Sequence, residues 1–103
     1  MYKVGFFVPI KDAEEVKEAM FEAGAGKIGN YEFCSFEVLG TGQYRPLNGA
    51  NPTIGQIGEL EKVLELKVEM VCADEYIRDV VLALKKHHPY EMPAYEIIKL
   101  SDL

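Results

Sequence analysis

The segment "ELEKVLELKVEMVC" (59–72) sets Leu64, Leu66, Val68, Met70 and Cys72 at every second position, with Glu65, Lys67 and Glu69 between them. Successive side chains of an extended chain point to opposite faces, so this stretch is a strand with one apolar and one charged side. A strand of that kind cannot cover its apolar side alone. It requires neighbouring strands and a second layer packed on them.

The rest of the chain supplies both. "YKVGFFVP" (2–9) is rich in β-branched and aromatic residues and reads as a first, mostly buried strand. Asp12 stands where an N-cap belongs, with Glu15 three residues on as in a capping box. Val16, Met20 and Ala23 follow at helical spacing, Lys17, Glu18 and Glu22 fill the other side, and Gly24 and Gly26 stop the helix. "NYEFCSFEV" (30–38) is expected to be the second strand. "LGTGQYRPLNGANPTIGQIG" (39–58) breaks every period and is expected to be a long loop, of a length that usually means function or disorder. Asp74 signals a second helix with Ile77, Val81 and Leu84 as its apolar stripe. Pro89 disfavours helical geometry at His88, which ends that helix near His87. "AYEIIKL" (94–100) is the last strand.

The order β-α-β-β-α-β predicts an α+β, ferredoxin-like fold over residues 1–103 as one domain: four antiparallel strands with two helices on one face. In this topology the first two strands run one way and the last two the other. The 39–58 loop and the 88–91 turn then share an upper end with Pro9 to Asp12, while "GAGKIGNY" (24–31) lies at the lower end. Gly26, Gly29 and Asn30 are expected to serve there as turn residues.

A net charge of −6 with no basic patch argues against a nucleic-acid partner. The longest apolar run, Val4 to Ile10, is too short to span a bilayer. Met1 leads straight into a strand with neither a basic n-region nor a small-residue cleavage site, so the expected location is cytoplasmic. Cys34 and Cys72 lack any C-x-x-C spacing and read as free thiols.

Candidate chemistry concentrates in "KKHHPYEMPAYEI" (85–97). Imidazole and carboxylate are the usual donors for divalent metals such as zinc, and Pro89 holds His88 and Glu91 in a fixed relation. A third ligand would have to come from the long loop, a neighbouring subunit or water. The alternative is structural, with Glu91 bonding the His88 ring. His88 continues the stripe of the second helix, so its ring should turn inward while His87 is rotated away. In the long loop, Gly40, Gly42, Arg45, Asn48 and Asn51 are candidate ligand contacts, with Arg45 beside backbone N–H groups as an anion receiver. "GTGQYR" follows a strand but opens no helix, which makes a dinucleotide reading weak. With no G-x-S-x-G, H-E-x-x-H or Walker lysine present, no catalytic residue is assigned.

"HPYEMPAYEIIKL" resembles the carboxy-terminal HPYE-x-P signature of CutA proteins, the trimeric PII-like family associated with divalent cations. "GAGKIGNYEFCSF", "GTGQYRPLNGANPTIG" and "HHPYEMPAYEI" together resemble the CutA-like domain inserted in bacterial YqfO proteins of the Nif-three-like family, here as a stand-alone domain. The resemblance implies a PII/CutA-type ferredoxin-like fold and a homotrimer. The dinuclear metal centre of full-length Nif-three-like proteins sits in flanking halves outside the matching stretch and is not implied for this chain. The leading expectation is a non-enzymatic, regulatory, oligomeric module that binds a small ligand or divalent metal through His88, Glu91 and the 40–55 loop. One alternative is a metal-assisted hydrolase using His88 and Glu91 at a subunit junction. The other is a protein-interaction domain without ligand that acts on a separate partner protein.

Overall fold

Alternation decides the first strand. Val4, Phe6 and Val8 are fully buried along β1 (Tyr2–Pro9), while Phe7 between them is 37% exposed on the other side. The computed structural model describes all 103 residues. It gives β2 as Phe36–Tyr44, β3 as Glu61–Cys72 and β4 as Tyr95–Lys99, with α1 at Ala13–Glu22 and α2 at Ile77–His87. All pairings are antiparallel and the strand order is β2-β3-β1-β4. This is the ferredoxin-like α+β arrangement.

Register explains the core. Phe6 lies opposite Val68, Val4 opposite Met70 and Tyr2 opposite Cys72, so the apolar sides of β1 and β3 coincide. Val16, Met20 and Phe21 of α1 and Val80 and Leu84 of α2 close over them. The stripe of α2 therefore runs through Ile77, Val80, Leu84 and His88, with Val80 in the place expected for Val81. Both cysteines are free, Cys72 buried and Cys34 half-buried.

Both helix-start expectations are corrected. Asp12 makes no side-chain capping bond, because a single 3-10 turn over Ile10–Asp12 precedes α1 and leaves Asp12 in helical rather than extended geometry, φ −101°. Asp74 likewise begins a 3-10 turn, Asp74–Tyr76, and α2 starts after it without a side-chain cap.

The second strand lies further along than expected. Residues 30–35 form no ladder, since the chain doubles back: the Cys34 N–H donates to the Gly26 carbonyl at 2.8 Å, and Ile28 bridges Tyr31. The strand starts at Phe36 and continues through "GTGQY", so Gly40 and Gly42 are strand residues and the connecting loop is 45–60. Of the lower-end turn residues, Gly26 and Gly29 do have positive φ (79° and 56°), but Asn30 does not; Phe33 takes the left-handed position instead, at φ 58°.

β3 outruns β1. It pairs with β1 only from Glu65 onward, opposite Pro9, whereas Glu61 to Leu64 pair with β2 alone. The β2–β3 hairpin thus projects as a two-stranded arm, and the molecule measures 46 × 25 × 24 Å.

Candidate functional site

The 45–60 loop and the 88–94 turn meet at the upper end, where β1 and β2 end and β3 and β4 begin. Four side-chain hydrogen bonds tie this end together. Thr53 Oγ1 donates to the Pro89 carbonyl at 2.6 Å, and the Asn51 N–H donates to Glu91 Oε1 at 3.0 Å. The Tyr44 hydroxyl donates to the Ile54 carbonyl at 2.7 Å, and the Tyr90 hydroxyl to Glu65 Oε2 at 2.8 Å. The Tyr44 and Tyr90 rings meet edge-on with centroids 6.0 Å apart.

Beneath this closure, on the helix-free side of the sheet, lies a cavity of about 510 Å³. Phe7, Val38, Pro46, Pro52 and Met92 give it apolar walls; Glu65, Lys67, Tyr44, Tyr90 and Glu91 supply polar groups. Glu65 is 7% exposed although it sits on the charged side of β3. Two glycines make that possible. Gly40 lies directly opposite Glu65, and a Cβ on Gly42 would fall on Glu65 Oε1 and lie 2.7 Å from its Cδ. The carboxylate thus occupies the space that a side chain at position 42 would fill. No buried side-chain nitrogen or oxygen lacks a partner. Glu65 Oε1 takes no protein donor, so it is reached from the cavity.

Burial raises the Tyr44 phenol above its ordinary range. The Tyr90 phenol is raised further, first by burial and then by its bond to the Glu65 carboxylate. Both remain protonated at neutral pH.

His88 is 6% exposed. Its Nε2 lies 2.6 Å from the Phe7 carbonyl oxygen, and its Nδ1 accepts the Tyr90 N–H at 3.1 Å. These partners select the neutral Nε2–H tautomer. Burial lowers the pKa, outweighing the Phe7 carbonyl and the charges of Glu65 and Asp12, which raise it. With one nitrogen donating and the other accepting, the ring has no lone pair free for a metal, so His88 does not fit a metal in this conformation. Glu91 does not bond the His88 ring; the turn directs it outward to Asn51. No group of three or more His, Cys, Asp or Glu side chains is placed to hold a metal ion.

The residues singled out in the sequence divide as follows. Gly40, Gly42 and Glu91 line the cavity, and Asn51 touches it through Glu91. Arg45 and Asn48 are exposed on the loop and do not line it. His88 and Pro89 secure the turn, His88 through Phe7 and Pro89 through Thr53. Gly26, Gly29 and Asn30 lie at the opposite end. Glu65, Tyr44 and Tyr90 were not anticipated as site residues. Their signal was the period-two run Val38, Gly40, Gly42, Tyr44, which sets two missing side chains opposite a strand carrying Glu65.

No protein-family profile matches the chain. A GTP cyclohydrolase 1 type 2 homolog from Halalkalibacterium halodurans is 46% identical over 102 residues, which is 99% of this chain and 27% of that protein. A homolog of the same name from Mycobacterium tuberculosis is 46% identical over 94 residues. The crystal structure of a Bacillus cereus protein related to NIF3 superposes with a TM-score of 0.83 at 40% identity, over 98% of this chain and 26% of that one. The chain is homologous to the CutA-like segment of the NIF3-related proteins. It spans about a quarter of the length of those relatives. CutA1 from Pyrococcus horikoshii, 18% identical, superposes over all of this chain and 86% of its own length with a TM-score of 0.71, which shows the shared fold. No helix is long and apolar enough to cross a membrane.

Proposed function

We propose that this NIF3-type segment is a non-enzymatic, cytoplasmic binding module that takes a small ligand in the upper-end cavity and passes its occupancy to a partner. The observation that carries this reading is Glu65: a nearly buried carboxylate with one oxygen facing an apolar-walled cavity, held in a space that Gly42 keeps clear. Concave, mostly apolar sites with a few placed polar groups are the usual form of a ligand pocket.

The rest of the sheet face supports self-association. Phe36, Val38 and Ile98 share it with Phe7, and each of the three is 44–66% exposed. An unlayered sheet face of that content favours a partner, and a homotrimer is the proposed state. A divalent metal is the competing occupant. It would rest on Glu65 and Glu91 rather than on a His88 nitrogen. The hydrolysis suggested by the relatives' name is proposed to belong to the remaining three-quarters of those proteins.

The test is an NMR-monitored titration of a mixed fragment set and, separately, zinc chloride, into the unaltered protein and an Ala94→Trp variant that fills the cavity mouth. Fragments are expected to shift the amides of Gly40, Gly42 and Glu65 in the first and not in the second. If neither fragments nor zinc move these amides, the interaction-domain reading replaces this one.

A further inference from the structure

The protons around the cavity are already committed. Tyr44 gives its hydroxyl proton to Ile54, Tyr90 to Glu65 and Thr53 to Pro89. Each of these oxygens therefore offers a ligand only lone pairs. Glu65 adds Oε1, and Glu91 adds the oxygen that Asn51 leaves free. Thr41 and Gln43 pair with Leu64 and Lys62, so alternation turns their side chains to the other side of β2. Lys67 is the one cationic group in the lining. Its ammonium lies over the Phe7 ring at 5.7 Å and 3.6 Å from Glu96 Oε1, so Glu96 already shares its charge.

Resting on the cavity reading above, we infer that the ligand is an organic cation, an ammonium or amidinium on a flat or aliphatic body. Its N–H groups meet Glu65 Oε1, and its body lies against Phe7, Val38, Tyr44 and Met92. A carboxylate that accepts one protein hydrogen bond and turns its second oxygen to an otherwise acceptor-lined space is best completed by a charged donor. The Tyr44 and Tyr90 rings line the same cavity, and aromatic rings attract cations. Phosphates and carboxylates would meet the Glu65 and Glu91 carboxylates there, with Lys67, already shared with Glu96, as the only opposing charge. Arg45, the loop's own cation, stands outside the cavity.

Benzamidine, benzamide and benzoate carry one ring shape with positive, zero and negative charge, and their titration into the intact protein separates the possibilities. Benzamidine is expected to shift the amides of Gly42, Glu65 and Tyr90. Benzamide should bind about tenfold more weakly or worse, and benzoate not at all, since a charge-assisted bond is exchanged for a neutral or repulsive one. Glu65→Gln, which preserves an acceptor for Tyr90, should weaken benzamidine about tenfold or more, while Glu69→Gln on the same sheet face should leave it unchanged. Thermal melts of both variants report folding; should Glu65→Gln not fold, the charge series on the unaltered protein decides. Benzoate binding in the cavity as tightly as benzamidine would overturn the cation assignment and leave the ligand site standing. Silence of those amides to all three compounds would overturn both.

Discussion

The two ends of the sheet close their glycine-rich connections by opposite means. At the lower end the backbone bonds to itself: Ala25 to Met20, Gly26 to Val71 and Cys34 to Gly26, with N···O distances of 2.8–3.1 Å. Two of its glycines fit where nothing larger can, since a Cβ on Gly24 would lie 2.6 Å from the Tyr76 ring and one on Gly26 2.7 Å from Phe21. At the upper end the loop closes on itself through backbone bonds such as Gly58 to Pro46, but it is tied to its neighbours by three side-chain bonds, and Gly49 and Gly58 have open space around them. A backbone-locked connection is rigid and replaceable in chemistry only at a cost to folding. A side-chain-held connection can release one contact at a time, as a binding site requires.

The largest expected effect probes the anchor of the upper end. His88→Ala removes a buried ring and orphans the Phe7 carbonyl and Tyr90 N–H, and should cost about 3 kcal/mol in chemical denaturation. His87→Ala, one residue away on the half-exposed side, should cost less than about 0.5 kcal/mol. Equal losses would mean that His88 does not hold the turn. The pH profile gives the sign independently. A histidine whose folded pKa lies below its ordinary 6.5 makes its stability contribution above pH 6.5 and loses it as pH falls toward the folded value. Stability should therefore decline on acidification below about 6.5 in the unaltered protein, and the part due to this residue should vanish in His88→Gln.

A middle effect compares glycines. Gly26→Ala meets both a positive φ and the Phe21 ring, and should cost about 2 kcal/mol, whereas Gly49→Ala meets strain alone and should cost about 1 kcal/mol. Neither should alter ligand affinity, the first by distance and the second because its loop tip faces solvent. Urea melts alongside benzamidine titrations check both statements. The smallest effect is at the loop: Thr53→Val, which removes the bond to Pro89, should lower global stability by about 1 kcal/mol or less. It should nevertheless speed hydrogen exchange at the Asn51 and Gly58 amides. Uniform faster exchange over the whole chain would erase the distinction between the two ends.

The sheet and its order were legible because Leu66, Val68, Met70 and Cys72 alternate over a long run that no other regular structure accommodates. The meeting of the long loop with the histidine turn followed from connectivity alone. The start of β2 was misread because propensity favoured "NYEFC", while a tertiary reversal at Gly26 and Phe33 overruled it. The end of the strand is hidden in the sequence because glycine ordinarily weakens a strand, and here the space at Gly42 is taken up by the Glu65 side chain of the neighbouring strand. Burial of Glu65 had no local signature, since it depends on Gly40, Gly42 and Tyr90, three positions distant in the chain. His88 was placed inward by helical spacing, but periodicity does not reveal which backbone groups wait for its nitrogens.

The space above Gly42 has a consequence for descent as well as for binding. Because the acid at 65 occupies what would be the side chain at 42, enlarging residue 42 displaces the carboxylate from its present place. A lineage that enlarges residue 42 must turn the acid at 65 out of that space, shorten it or lose it, and each route changes the polar end of the cavity. Glycine at 42 paired with glutamate at 65 is therefore a two-letter mark by which members retaining this pocket can be told from members that keep the fold and have abandoned it.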